Sequence, residues 1–203
     1  MNIFVTGTDT NVGKTIVSSW ICRQTGASYW KPIQTGSDID SETIRKFSPN
    51  TPIIDEVYRL KAPLSPYDAA NSEKNFINID KISQKIPDRT VIEGVGGILV
   101  PIAENFQMID LVAKMNAKVL IVARSRLGIL NHIFLTVEVL RRRVIPIAGI
   151  VINGEIDKFL VKTVEQFSGE KVLKILPFSE NIHKIITIEG IPDEMQRVLM
   201  PGS

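Results

Sequence analysis

Val5 to Thr15 of this chain reads VTGTDTNVGKT, and no other stretch limits the possible folds as much. The apolar, β-branched run Asn2–Thr6 ahead of it suits a buried parallel strand. Behind it, Val17, Trp20 and Ile21 fall at helical spacing within a helix expected from about Lys14 to Gln24, stopped by Gly26. A strand, a glycine turn and a helix opened by Gly13-Lys14-Thr15 nearly spell the phosphate-binding loop G-x-x-x-x-G-K-[ST]. One position departs from it. Gly7 falls a place early, and Thr8 stands where the first glycine belongs. In this context backbone N–H groups and the helix N-terminus face phosphate oxygens, Lys14 reaches the β- and γ-oxygens, and the Thr15 hydroxyl binds Mg²⁺. A flexible glycine turn with an exposed lysine is the bland alternative, and the flanking strand and helix argue against it.

The rest of the chain supplies a frame for such a loop. ASYWKPI (27–33) reads as a second strand whose pairing Pro32 should end. A short helix is expected from Ser41 to Phe47. The segment Ser48–Asn75 holds four prolines and reads as irregular, with only VYRL (57–60) strand-like. NIDKISQKI is amphipathic, with Ile79, Ile82 and Ile86 on one face. Four apolar runs then follow, RTVIEG, AKVLIVAR, PIAGIVIN and EKVLKIL, separated by helical stretches at 107–116, 129–142 and 156–168. Strands alternating with helices of this length imply βαβ units. The expected fold is a P-loop NTPase-like α/β sandwich of three layers, a mostly parallel sheet with helices on both faces, as one domain over 1–203.

Composition excludes some function classes. A net charge of +2 is too small to argue for a nucleic-acid surface, and the run Arg141-Arg142-Arg143 suits the solvated end of a helix. The single cysteine, Cys22, reads as a buried thiol in a reducing compartment. No stretch reads as a signal peptide or a bilayer span. A cytoplasmic protein with no membrane or nucleic-acid partner is the expectation.

Four further stretches carry polar groups where chemistry could use them. Lys31, in YWKPIQTGS, ends a strand and would point into the ligand crevice of an open sheet, although a snorkelling surface lysine is the usual reading. Glu93, in VIEGVGG, ends another strand before three glycines in four positions, so nothing bulky should shield its carboxylate. An acid so placed helps hold the metal in nucleotide enzymes; a loop-stabilising acid is the alternative. Gly128–Asn131 opens a helix in RLGILNH, and its N–H groups could receive an anion, as any helix start could. Asn153 ends IVIN, where its amide could read a base edge. His132 and His183 have no companions to complete a metal set.

Together VTGTDTNVGKT, KPIQTGS, VIEGVGG, RLGILNH and GIVIN occur in the order and near the spacing of the dethiobiotin synthetase family, which the chain resembles from residue 2 to about residue 180. That family keeps threonine at the irregular loop position. The resemblance implies a homodimeric, Mg²⁺-dependent ligase that uses ATP and CO₂ to close 7,8-diaminononanoate into a cyclic urea. It implies that Lys31 and Lys14 are catalytic, and that Lys31 and Thr35 bind substrate together with Gly128, Ile129, Leu130 and Asn131 of the partner subunit. Metal would fall to Thr15, Asp40 and Glu93. ATP would fall to Asn11, Val12, Gly13, Lys14, Thr15, Ile16, Asp40, Glu93, Gly94, Val95, Gly96 and Asn153, with Pro177, Phe178 and Glu180 closing over adenine and ribose. In this chain Gly154 follows the asparagine where an acid is common. Two other classes compete: a nucleotide-switched positioning ATPase, which would need a membrane tail or basic surface, and a small-molecule kinase, which would bring arginines and a lid.

Overall fold

The computed structural model describes residues 1–82, 86–115, 117–155 and 158–200. The chain begins with β1 (Asn2–Gly7), α1 (Lys14–Thr25), β2 (Ser28–Trp30), β3 (Ile33–Thr35) and α2 (Asp40–Phe47). It continues through β4 (Ile53–Ile54), β5 (Tyr58–Leu60), α3 (Pro66–Ser72), α4 (Ile79–Ile82) and β6 (Thr90–Gly97). A small hairpin, β7 (Pro101–Ala103) and β8 (Phe106–Gln107), precedes α5 (Met108–Lys114), β9 (Ala117–Arg124) and α6 (Ile129–Arg142). Then come β10 (Ile147–Asn153), α7 (Lys158–Ser168), β11 (Val172–Leu176), α8 (Ile182–Ile186) and α9 (Asp193–Leu199).

Seven strands form one sheet in the order β11-β10-β9-β1-β6-β2-β4, and every neighbouring pair is parallel. Alternation along each strand sends side chains to two cores. Ile3, Val5, Val91, Leu120, Val122 and Val151 pack beneath α1, α2, α8 and α9. Phe4, Ile92, Val119, Ile121, Ile150 and Ile152 pack against α3, α5, α6 and α7 on the other face. Burial of each such side chain contributes about 1.5–3 kcal/mol, so helices on both faces are what these near-continuous apolar strands require. After β6 the chain crosses from one side of β1 to the other, and ligands bind such sheets at the strand ends beside that switch. The phosphate loop leaves β1 there.

Local chemistry explains the details. Pro32 has no N–H, so β2 stops at Trp30; the chain pairs again from Ile33 with β5, in a separate parallel ribbon. The Pro32 carbonyl still accepts from Val57 and Tyr58, at 2.9 and 3.1 Å. The segment expected to be irregular holds a helix, α3. Ser65 caps it by accepting from the Asp68 N–H at 3.2 Å, and Pro66 sits at the first turn, where its missing donor costs nothing. Ile79, Ile82 and Ile86 share one core as their spacing implied, and 83–85 lie outside the described residues. The helix expected at 156–168 is described from Lys158. Trp20 is fully buried and donates to the Ile188 carbonyl at 2.8 Å, which ties α1 to a C-terminal segment where no helix was expected. Cys22 is buried, and burial pushes its thiol pKa far up. The arginine run ends α6 as anticipated, and its members pair with Glu170, Glu138 and Asp110.

Candidate active site

The irregular loop has a steric explanation. A Cβ on Gly7 would meet the Asp9 carbonyl at 2.5 Å, so the glycine stands where the chain folds back on itself. Thr8 is still strand-like, and its N–H donates to the Val122 carbonyl at 2.9 Å. Left-handed geometry is taken up later, by Asn11 at φ 55° and Gly13 at φ 91°. Gly13 then caps α1, whose first residues are Lys14 and Thr15. Lys14 lies buried along the loop, with its Nζ 3.4 Å from the Asp9 carbonyl. Burial lowers its pKa, aided by the charge of Lys31 and opposed by Glu93, Asp40 and Asp9.

Strand parity decides where Glu93 points. It has the same parity as Val91 in β6, so its side chain goes toward α1. There its Oε1 lies 2.8 Å from the Thr15 hydroxyl, which also lies 2.7 Å from Asp40 Oδ1 at the start of α2. Lys31 follows β2 and places its ammonium against Asp40 Oδ2, 3.4 Å from Glu93 Oε1. Tyr29, also from β2, donates to Glu93 Oε2 at 3.1 Å. Glu93 is 1% exposed and Lys31 5%. The expectation that nothing bulky would shield the Glu93 carboxylate is therefore corrected. Gly94 points the other way and makes room for the Phe4 ring, which a Cβ would meet at 2.9 Å. Val95 packs on that same core, and Gly96 faces a crevice shared with Thr8, Thr10 and His132.

Opposed charges set the protonation states. Burial works against a charged Lys31, but Glu93 and Asp40 outweigh it and hold its pKa above the ordinary lysine value. Burial likewise opposes charge on Asp40, and Lys31, Thr15 and Lys14 outweigh it, so that carboxyl stays below its usual range. Sequence reasoning missed Gln34 here. Its buried amide donates to the Asp38 carbonyl at 2.7 Å and accepts from the Asp40 N–H at 3.2 Å, fixing the turn that presents Asp40. Its neighbour Thr35 is half-buried at the end of β3.

The donor set fits Mg²⁺. One hydroxyl hydrogen cannot serve two carboxylate oxygens at once, so the three converging oxygens of Thr15, Asp40 and Glu93 gain from a cation among them. Among the described residues no group of three His, Cys, Asp or Glu side chains could hold a metal. Mg²⁺ bound beside phosphates needs only one or two carboxylates, with phosphate and water oxygens completing the shell.

On the other side of the loop lies a cleft of about 460 Å³ lined by Asn11, Val12, Gly13, Ile16, Asn153 and Phe178, among others. Asn153 Nδ2 donates to the Val12 carbonyl at 2.6 Å. That bond leaves the amide oxygen to face an incoming group. Pro177 and Phe178 line the cleft, whereas Glu180 is exposed and does not. Beside Gly154, Glu155 also lines the cleft. Arg124, Ser125 and Ser179 also line it and went unread. The sequence sign of the first two was their place at and just after the end of AKVLIVAR.

Gly128–Asn131 does form a helix start, but not with four open donors. Ile129 N–H is taken by the Arg126 carbonyl at 3.1 Å. The turn is linked to the phosphate loop through Arg126, whose guanidinium pairs with Asp9. Lys31 and this turn share no lining or bonded residue among those described.

Residues 1–185 match the AAA domain family. The chain is 45% identical over 194 residues to the ATP-dependent dethiobiotin synthetase of Paramagnetospirillum magneticum, covering 94% of each. It is 40% identical to that of Lawsonia intracellularis, covering 95% of each. The chain belongs to the dethiobiotin synthetase family. Within solved structures, a ParA family ATPase from Chlorobium tepidum superposes with a TM-score of 0.57 at 11% identity, covering 99% of this chain and 92% of that one. That likeness speaks for the fold alone. The family membership accounts for the five motifs together, where the ParA likeness accounts only for the sheet and loop.

Proposed function

We propose that this ATP-dependent ligase carboxylates 7,8-diaminononanoate with CO₂ and closes the ring to dethiobiotin, releasing ADP and phosphate. One observation carries the reading: buried Lys31 and Glu93 and half-buried Asp40 and Thr15 form one cluster beside the phosphate-loop lysine. In the reaction, one amine attacks CO₂ and loses a proton to give a carbamate. A carbamate oxygen attacks the γ-phosphorus, breaking its bond to the β,γ-bridging oxygen. The second amine attacks the carbonyl carbon and gives up a proton, and phosphate leaves as the urea ring closes.

The residues contribute position and charge, which phosphoryl transfer needs most. Lys31 stays cationic because Glu93 and Asp40 hold its pKa up. It therefore serves as an electrostatic partner of the carbamate rather than as the base. Lys14 meets the β- and γ-oxygens from the opposite side. Thr15, Asp40 and Glu93 would hold Mg²⁺, which would neutralise charge on the phosphates. Asn153, Pro177 and Phe178 would receive the base.

The α6 turn is the proposed seat of the substrate carboxylate, contributed by the second subunit of a homodimer. Exposed Leu127 just ahead of α6, Leu135 on α6 and Phe167 on α7 support that contact. A mixture of Gly128→Pro with Lys31→Ala should regain activity through heterodimers. No recovery, with subunit exchange shown independently, would place each site within one chain. A product assay with the diamine, bicarbonate, Mg²⁺ and each nucleotide tests the reaction itself. Diamine-dependent dethiobiotin is expected; ATP hydrolysis indifferent to the diamine would instead favour a nucleotide switch.

A further inference from the structure

Glu93 has a neighbour that none of the roles above uses. Tyr29 is fully buried in β2, and its hydroxyl donates to Glu93 Oε2 at 3.1 Å. The other oxygen, Oε1, faces Thr15 at 2.8 Å and Lys31 at 3.4 Å. The two oxygens of this carboxylate are thus assigned to opposite neighbours. The last torsion of a glutamate is soft, so burial alone does not fix whether one of its two equivalent oxygens or both face the cluster. A rigid phenol anchored in the core does decide it. Tyr29 packs with Ile3, Val5, Val91 and Cys22, and its register opposite Val91 puts it two residues below Glu93 on the adjoining strand, on the same face of the sheet.

We propose that Tyr29 is a positioning residue for the metal-site carboxylate, holding Oε2 of Glu93 so that only Oε1 faces the cation, which selects Mg²⁺ over Ca²⁺. The inference rests on the metal reading given above. Its physical basis is the difference between the two ions. Mg²⁺ requires near-octahedral geometry with oxygens at about 2.1 Å, whereas Ca²⁺ takes about six to eight oxygens and accepts both oxygens of one carboxylate. A carboxylate pinned by one oxygen offers the single directed ligand that Mg²⁺ needs. Released, it can rotate and present both oxygens.

The test compares metal binding rather than turnover. Mn²⁺ binding to the ADP complex is followed by electron paramagnetic resonance, and Mg²⁺ and Ca²⁺ are measured by competition. Tyr29→Phe keeps the ring and removes the donor. Loss of a hydrogen-bond partner behind a metal ligand weakens metal affinity by about ten- to a hundredfold, and the expected result is a loss of about tenfold for Mg²⁺ with Ca²⁺ unchanged or tighter. Equal losses for both ions, or a lowered Tm with both affinities unchanged, would overturn the proposal. Glu93→Gln is the control for the underlying reading. If it leaves Mn²⁺ binding intact, the metal site is elsewhere, a failure distinct from that of Tyr29. Should Tyr29→Phe not fold, fluorotyrosine labelling keeps the question open to measurement, because the chain has 3 tyrosines. Tyr58→Phe and Tyr67→Phe assign the remaining resonance to Tyr29. Mg²⁺ should shift that resonance in the ADP complex well beyond the shift Ca²⁺ produces. Equal shifts, or none, would sink the idea.

Discussion

The two sides of the phosphate loop are built on different terms. On the Lys31 side, charged groups are largely buried and paired, and the partners sit within or just after sheet strands or in the first turn of a helix. On the other side, the cleft proposed for the base mixes loop residues with Ile16 of α1, Arg124 of β9 and Asn153 of β10, and Phe178 is 69% exposed, with the Arg124 guanidinium 6.0 Å from its ring. Buried charges demand exact partners because desolvation is costly. A flat, polarisable base tolerates a looser surround. The difference teaches where this enzyme is preorganised: at the buried charged cluster proposed for the reacting groups, not at the open cleft proposed for the base.

That contrast can be broken most directly at Lys31. Lys31→Ala should lower kcat by about 10²–10³-fold while the KM for ATP changes little, because the lost charge acts on the carbamate and transition state. Steady-state kinetics decide it, and a raised ATP KM with normal kcat would move Lys31 to the nucleotide. Next in size are Glu93→Gln and Asp40→Asn, each raising the Mg²⁺ needed for half-maximal activity, by about tenfold or more, with the greater effect at Glu93. An unchanged Mg²⁺ titration with a lower Tm would make these acids purely structural.

Gly13 joins the two sides. Its left-handed φ and the Asn153 amide, only 2.4 Å from any added Cβ, leave no room for a side chain. Gly13→Ala should cost about 1–3 kcal/mol of stability, and it should weaken nucleotide binding through both halves. Calorimetry on the free protein and ADP titration separate the two effects. Smaller still is Phe178→Ala, expected to raise the ATP KM about two- to fivefold, the scale of an exposed aromatic contact. Glu180→Ala should leave that KM unchanged, since Glu180 stands outside the cleft; an equal effect would restore it to the base site.

The least effect concerns acid stability. Asp40 has a folded pKa below its ordinary 3.8, so its pairing stabilises the fold above the unfolded value and is lost as pH falls through the folded one. Asp40→Asn should flatten the decline of Tm below about pH 4. An acid limb identical to that of the parent would mean that Asp40 is not held by Lys31.

Much of the molecule follows from the chain alone. Apolar runs at strand length, glycine stops and the phosphate-loop spacing determine a parallel sheet with the loop at its centre, because each rests on local geometry and periodicity. The motif order determines the family. The α3 helix was legible too, in the Ser65-Pro66 cap, but four prolines in the segment drew the eye to turns instead. Only the tertiary structure decided that one oxygen of Glu93 faces the cluster while the other meets Tyr29, that Gln34 fixes the turn presenting Asp40, and that Glu155 lines the cleft beside Asn153. Those facts depend on strand register and on loops brought together from distant positions. Periodicity assigns a residue to a face, whereas contact across strands depends on how the whole sheet is ordered.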